Sequence, residues 1–127
     1  MSRRPPDFEA EVRFLSREEG GRSGPAIQGL YRPDIHVDDD PSDMLWMIWP
    51  RFLDDSAAEL PEGAVVPPVC QAHFYIANPE LRRTVHQQWL REGARFHLSE
   101  GHHRVAACSV TKILSLNENA AEPTGSS

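Results

Sequence analysis

Apolar and polar positions alternate with period two over most of this chain, the spacing of half-buried β-strands. Phe8, Ala10, Val12 and Phe14 alternate with Asp7, Glu9, Glu11 and Arg13, which predicts a strand with a charged outer face. Ser16 to Pro25 carries three glycines and reads as a turn-rich loop. Ala26-Ile27 is a candidate short strand before Gly29, and Tyr31 to Val37 is another, with Pro33 marking an edge or a strand start. Asp38 to Asp43 is an acidic loop. Met44 to Trp49 is a short, fully apolar strand that Pro50 is expected to stop. Cys70, Ala72, Phe74 and Ile76 alternate with Gln71, His73 and Tyr75. Arg95 to Leu98 and Arg104 to Leu114 complete the pattern, and Glu100-Gly-His-His103 between them predicts a hairpin around Gly101.

One segment leaves this period. Asn78-Pro79-Glu80 has the order of a helix start: a capping Asn, Pro at the first helical position and an acid in the first turn. Leu81, Val85 and Trp89 recur four residues apart, with Gly93 just past the end. A helix of about three turns over the mouth or edge of a sheet is expected. Many short strands, glycine turns and one helix predict an all-β barrel or sandwich. The single domain should span residues 7–116, between disordered tails at 1–6 and 117–127.

Composition narrows the chemistry. The 127 residues suffice for one core. Nineteen acids against thirteen bases give a net charge of −6, and Lys112 is the one lysine among the bases. A phosphate-binding loop needs Lys directly before Ser or Thr after a Gly-rich run, and Lys112 precedes Ile113. No GTP or other nucleotide site is therefore expected, and the acid excess argues against generic nucleic-acid binding. The longest apolar run, Met44 to Trp49, is far short of the about twenty residues of a membrane span. No apolar stretch follows the N-terminal arginines, so no secretory signal is expected. Cys70 and Cys108 sit inside apolar alternations and read as buried free thiols of a cytoplasmic protein.

Candidate reactive groups are sparse. His97, His102 and His103 suggest a metal, but adjacent strand residues point to opposite faces and no Cys-x-x-Cys or His-Glu-x-x-His pattern is present. The acidic run Asp38 to Asp43 lacks the Gly and terminal Glu of a calcium loop. Neither Ser23 nor Ser99 lies in a Gly-x-Ser-x-Gly turn. No catalytic residue, metal or cofactor is expected. Trp46, Trp49 and Trp89 are either core packing or a protein-facing anchor. Because Trp46 and Trp49 share one strand with Leu45, Met47 and Ile48, at least one of the two should face out.

Two motifs sharpen the reading. Phe8-Glu-Ala-Glu-Val-Arg-Phe-Leu-Ser-Arg-Glu-Glu-Gly-Gly-Arg-Ser-Gly-Pro25, followed by Gly29-Leu-Tyr-Arg-Pro33, resembles the start of the third domain of bacterial elongation factor Tu. Glu92-Gly-Ala-Arg-Phe-His-Leu-Ser-Glu-Gly-His-His-Arg-Val-Ala-Ala-Cys-Ser-Val-Thr-Lys-Ile-Leu114 is similar to the last hairpin of that domain, in the same order along the chain. The resemblance implies an antiparallel barrel of about six strands without catalysis of its own, since the family's nucleotide site lies in a separate domain. It also implies contact with the T-stem of aminoacyl-tRNA and with the exchange factor. The Arg of the family's Gly-Gly-Arg turn falls on Arg22, and the tRNA-contacting His after it becomes Ser23. The Glu-Gly of the last hairpin falls on Glu100 and Gly101, while the Gly-Arg after it becomes His102-His103. A basic residue of the middle strand becomes Asn78, and the Pro-Gly-Asp turn before that strand becomes Pro67-Pro68-Val69. The cationic positions are thus thinned.

By the same alignment, two segments are insertions outside the barrel core. One runs through the acidic loop, the Met44–Trp49 strand and Arg51 to Glu62; the other is the helix from Pro79 to Glu92. Added elements on a retained scaffold are where a new partner would bind. The leading expectation is a non-enzymatic, translation-related module that binds a protein, with RNA binding weak or absent. The alternatives are a tRNA-binding accessory protein using Arg22, Arg32, Glu100 and Gly101, and a metal-dependent enzyme resting on the histidines.

Overall fold

In the computed structural model, which describes residues 5–41, 45–77, 89–101 and 103–116, the alternating segments become six strands. These are β1 (Phe8–Phe14), β2 (Asp34–Val37), β3 (Trp46–Phe52), β4 (Val69–Ile76), β5 (Arg95–Glu100) and β6 (His103–Ile113). They close into an antiparallel barrel in the order β1-β4-β3-β2-β5-β6. The fold is all-β, and each of the six strands is paired with a neighbour on both sides. The expected hairpin is present, with Gly101 supplying the left-handed turn conformation at φ 63°.

Alternation decides what fills the interior. Along β1 the residues Phe8, Ala10 and Val12 are fully buried while Glu11 and Arg13 face solvent. The core has two aromatic layers. Toward one end Phe8 stacks on Phe74 at 5.0 Å, with Phe96 edge-on to Phe8 at 5.7 Å and to Phe74 at 5.5 Å. Toward the other, Phe14, Tyr31 and Phe52 meet at 5.9–6.3 Å. Each fully buried Phe contributes roughly 2–3 kcal/mol of transfer free energy, and the T-shaped pairs add to it. Leu90, Ala94 and Leu116 join the same core.

Four expectations change. Asp7 is fully buried and lies outside the charged outer face. Its carboxylate accepts the Ile76 N–H at 2.8 Å and its carbonyl accepts the N–H groups of Leu114 and Leu116, so it ties the start of β1 to the ends of β4 and β6. Pro50 does not stop the third strand, which runs on to Phe52. The side of Pro50 without an N–H faces β2, whose pairing with β3 covers only Met47 and Trp46, so no ladder bond is lost. The segment expected outside the core is instead a stave of the barrel: β3 sits between β2 and β4 and places Ile48 and Phe52 fully inside. Finally, Ala26-Ile27 reduces to one bridge, Ile27 to Val65, and the next strand begins only at Asp34. Pro33 precedes it and accepts the Ile48 N–H at 3.1 Å.

Several expectations fall elsewhere. The helix from Pro79, with Asn78 as its cap, lies outside the described residues up to 88, as do Met44, His102 and the tails at 1–4 and 117–127. Pro6, assigned to the first tail, accepts the Ser115 N–H at 3.1 Å.

Candidate functional site

The residues singled out by the motifs converge at one mouth of the barrel. Gly20 takes a left-handed φ of 89°, and Gly21 turns in so closely that a Cβ there would overlap the Leu15 carbonyl. The pair aims Arg22 across the mouth. Its guanidinium donates to the Glu100 carboxylate at the end of β5, its Nε donates to the Gly24 carbonyl at 3.0 Å, and its face covers the Tyr31 ring at 5.1 Å. Gly101 turns the hairpin beside Glu100, and the His103 ring meets the Gly20 carbonyl. Ser23 is exposed on the same loop. Arg22, Glu100 and Gly101 therefore form one internal cluster in which the guanidinium is already engaged by an acid, a carbonyl and an aromatic face. Burial, followed by the negative charge of Glu100, pushes the Tyr31 hydroxyl well above the ordinary tyrosine range, so it stays protonated. Arg22 and Ser23 also rim an apolar groove of about 440 Å³ whose walls include Phe14, Pro25, Val65 and Pro68.

The three tryptophans separate. Trp46 and Trp89 are half-buried and pack against the core, and the Trp46 indole N–H has no hydrogen-bond partner among the described residues. Trp49 stands three residues from Trp46, on the opposite face of β3, and is 45% exposed. One tryptophan of the strand does face out, as alternation requires, but the three form no joint surface.

Around Trp49 the outer wall carries a second constellation. Met47, 55% exposed, precedes it in the outward row of β3, and Arg51 follows it. Arg32 lays its guanidinium over the Trp49 ring at 5.2 Å and donates to the Tyr31 carbonyl at 3.1 Å. A shallow cleft of about 360 Å³ is lined by Arg32, Trp49, Pro50, Arg51, Glu62 and Tyr75. Arg51 donates from Nε to Glu59 at 3.1 Å and from Nη2 to Glu62. Burial alone would lower its basicity, but the two carboxylates outweigh this and hold the guanidinium more firmly charged. The Glu62 side chain reaches Arg51 over Gly29, where a Cβ would overlap its carboxylate and where φ is 87°. The motifs do not mark Arg51, Glu59 or Glu62. The available signal was the spacing Met47, Trp49, Arg51, which puts all three on one side of a strand that continues through Pro50.

The other chemical groups are dispersed. His97 meets Asp38 at 2.8 Å and His73 meets Glu9 at 3.0 Å, two separate pairs on the wall. Among the described residues no group of three or more His, Cys, Asp or Glu side chains could hold a metal ion. Cys70 and Cys108 are free, one on each side of Val12. Burial raises the Cys70 thiol to about 11 and the Cys108 thiol well above its ordinary value. Among the described residues no helix is long and apolar enough to cross a membrane. No family model matches the chain.

Proposed function

We propose that this chain is a non-enzymatic binding module of translation-related descent that docks a protein partner through the outer face of β3, with Trp49 as its centre. The exposed indole of Trp49 carries the reading. A half-exposed Trp beside an exposed Met and a stacked Arg is the composition of an interface hot spot, where Trp, Tyr and Arg supply most of the energy. The interior is filled by packed side chains, so the wall is where a partner can bind. The elongation factor Tu resemblance supplies the translation context, and the lack of a nucleotide-binding loop in these residues supports a role without GTP. Engagement of Arg22 by Glu100 favours protein over RNA, because a cation neutralised internally gains little from phosphate. A cytoplasmic setting fits the cysteines. Two strand spacings separate their backbones by roughly 9–10 Å, beyond disulfide reach.

The test compares capture by the immobilised wild-type chain and by Trp49→Ala, with a tRNA titration at low and at physiological salt alongside. A protein retained by the wild type and reduced about thirtyfold by the substitution supports the reading. Equal retention by both forms, or capture of tRNA alone with affinity falling steeply as salt rises, overturns it.

A further inference from the structure

The docking centre is already occupied by a group of the chain itself. Glu62 comes from a turn, is 69% exposed, and nevertheless places its carboxylate on Arg51 at the edge of the Trp49 cleft. Its path across Gly29 is open because that residue has no side chain. Arg51 is different: its side chain is 19% exposed and is also fixed by Glu59, so it is a preset anion receptor, while Glu62 is an arm that can swing away at small cost. On the other side Arg32 lies over the Trp49 indole with one backbone hydrogen bond of its own. The cleft thus offers two guanidinium groups beside the exposed indole of Trp49.

We infer that Glu62 is an internal stand-in for the partner, and that the Trp49 cleft recognises a single carboxylate next to an apolar or aromatic group in a peptide segment of a protein. The inference rests on the protein-docking reading and adds the chemistry of what docks. Three observations favour a carboxylate over a phosphate. Arg51 already binds two carboxylates in the folded chain. The flanking Trp49 offers apolar contact rather than a further cation. A chain of net charge −6 repels a polyanionic backbone more than a single buried-edge carboxylate. The exchange costs little, because an incoming carboxylate replaces the Glu62 bond one for one and adds contact with the indole.

The minimal probe is N-acetylphenylalanine, which carries one aromatic group and one free carboxylate, with N-acetylphenylalaninamide as its uncharged counterpart and a short uridylate oligomer as the nucleic-acid arm. Binding is read from the Trp49 indole resonance, assigned by its loss in Trp49→Phe. The acid should bind with a dissociation constant on the order of millimolar, about two- to fivefold tighter than the amide. Glu62→Gln should tighten it by about two- to fivefold, the range an exposed ion pair is worth. A merely structural Glu62 would leave affinity unchanged or weaken it when removed. Equal binding of acid and amide, no gain in Glu62→Gln, no perturbation by either probe in that variant, or preference for the oligomer overturns the inference. Protein capture that still depends on Trp49 under those outcomes leaves the docking reading standing, whereas capture indifferent to Trp49→Ala removes the reading itself.

Discussion

The side-chain amide of Gln28 pairs with Phe52 as a neighbouring strand would: Oε1 accepts the Phe52 N–H at 3.0 Å while Nε2 donates to the Phe52 carbonyl at 3.1 Å. The same Nε2 reaches the Leu60 carbonyl at 3.1 Å. β2 ends its pairing with β3 at Asp34 and Met47, and two positions before Phe52 the backbone of Pro50 has no donor. Gln28 therefore completes the barrel wall at a place where strand pairing runs out and a proton donor still needs an acceptor.

Replacing Gln28 by Met keeps the volume and removes these bonds. The buried Phe52 N–H and the Leu60 carbonyl are then left to whatever water can enter, while the Phe52 carbonyl keeps the Leu60 N–H at 2.9 Å, and the loss costs about 2–4 kcal/mol. Urea denaturation of Gln28→Met should show a lower midpoint with an unchanged slope. A loss below about 1 kcal/mol would mean that the amide is incidental to closure.

Gly21 and Gly24, on either side of Arg22, give a separate contrast. Gly21→Ala must displace the Leu15 carbonyl, a backbone atom, whereas Gly24→Ala on the same loop meets nothing within 4 Å and has no left-handed φ. Gly21→Ala should destabilise by about 1–3 kcal/mol, the range for overpacking against rigid neighbours. Gly24→Ala should be neutral or gain a few tenths of a kcal/mol from the less flexible unfolded chain, roughly 0.4 or more. Thermal unfolding of the two variants side by side measures the difference, and similar melting points would show that the loop yields.

Alkaline pH should destabilise the fold through the thiols. A thiol whose pKa is raised by folding keeps its proton in the native state where the unfolded chain has already lost it. Above the ordinary value of 9.0 the unfolded chain binds fewer protons, so stability falls as pH rises toward about 11, where Cys70 itself ionises in the fold. Cys108, more deeply buried, extends the decline. Cys70→Ala combined with Cys108→Ala should flatten the fall in denaturation midpoint above pH 9 relative to wild type. At neutral pH, alkylation by iodoacetamide should reach Cys70 slowly and Cys108 only on unfolding. A rapid reaction at Cys108 in the folded chain would contradict its burial.

The strands that read clearly from the pattern, β1, β4 and the β5–β6 hairpin, each have a solvated face, so apolar and polar residues alternate cleanly. The third strand runs past Pro50 because the side of that residue without an N–H faces no paired neighbour, a relation the local pattern does not carry. Asp7 and Gln28 were legible only as polar residues. Both are fully buried because each substitutes for missing backbone partners, a role set by strands far away in sequence. The Arg22–Glu100 cluster was half legible: the motifs named its members, and the structure shows that they spend their charge on one another. The Trp49 cleft was least legible, because Arg32, Arg51 and Glu62 come from three separate segments and meet only when the barrel closes.

Trp46 and Trp49 should respond oppositely to the same substitution. They stand three residues apart on β3, which alternation turns into opposite faces: Trp46 packs on the core, and Trp49 is 45% exposed beneath Arg32. Trp46→Ala removes a large side chain from a half-buried site and leaves a cavity against the core, so it should cost about 2–4 kcal/mol. Trp49→Ala removes a half-exposed ring and a cation–π contact worth about 0.5–1 kcal/mol, and should lower the urea midpoint far less than Trp46→Ala does. Fluorescence supplies an independent reading: Trp46→Ala should shift the remaining emission to longer wavelength, and Trp49→Ala to shorter. A Trp49→Ala variant as unstable as Trp46→Ala would mean that the outer face of β3 is structural, and the case for a docking surface there would fall with it.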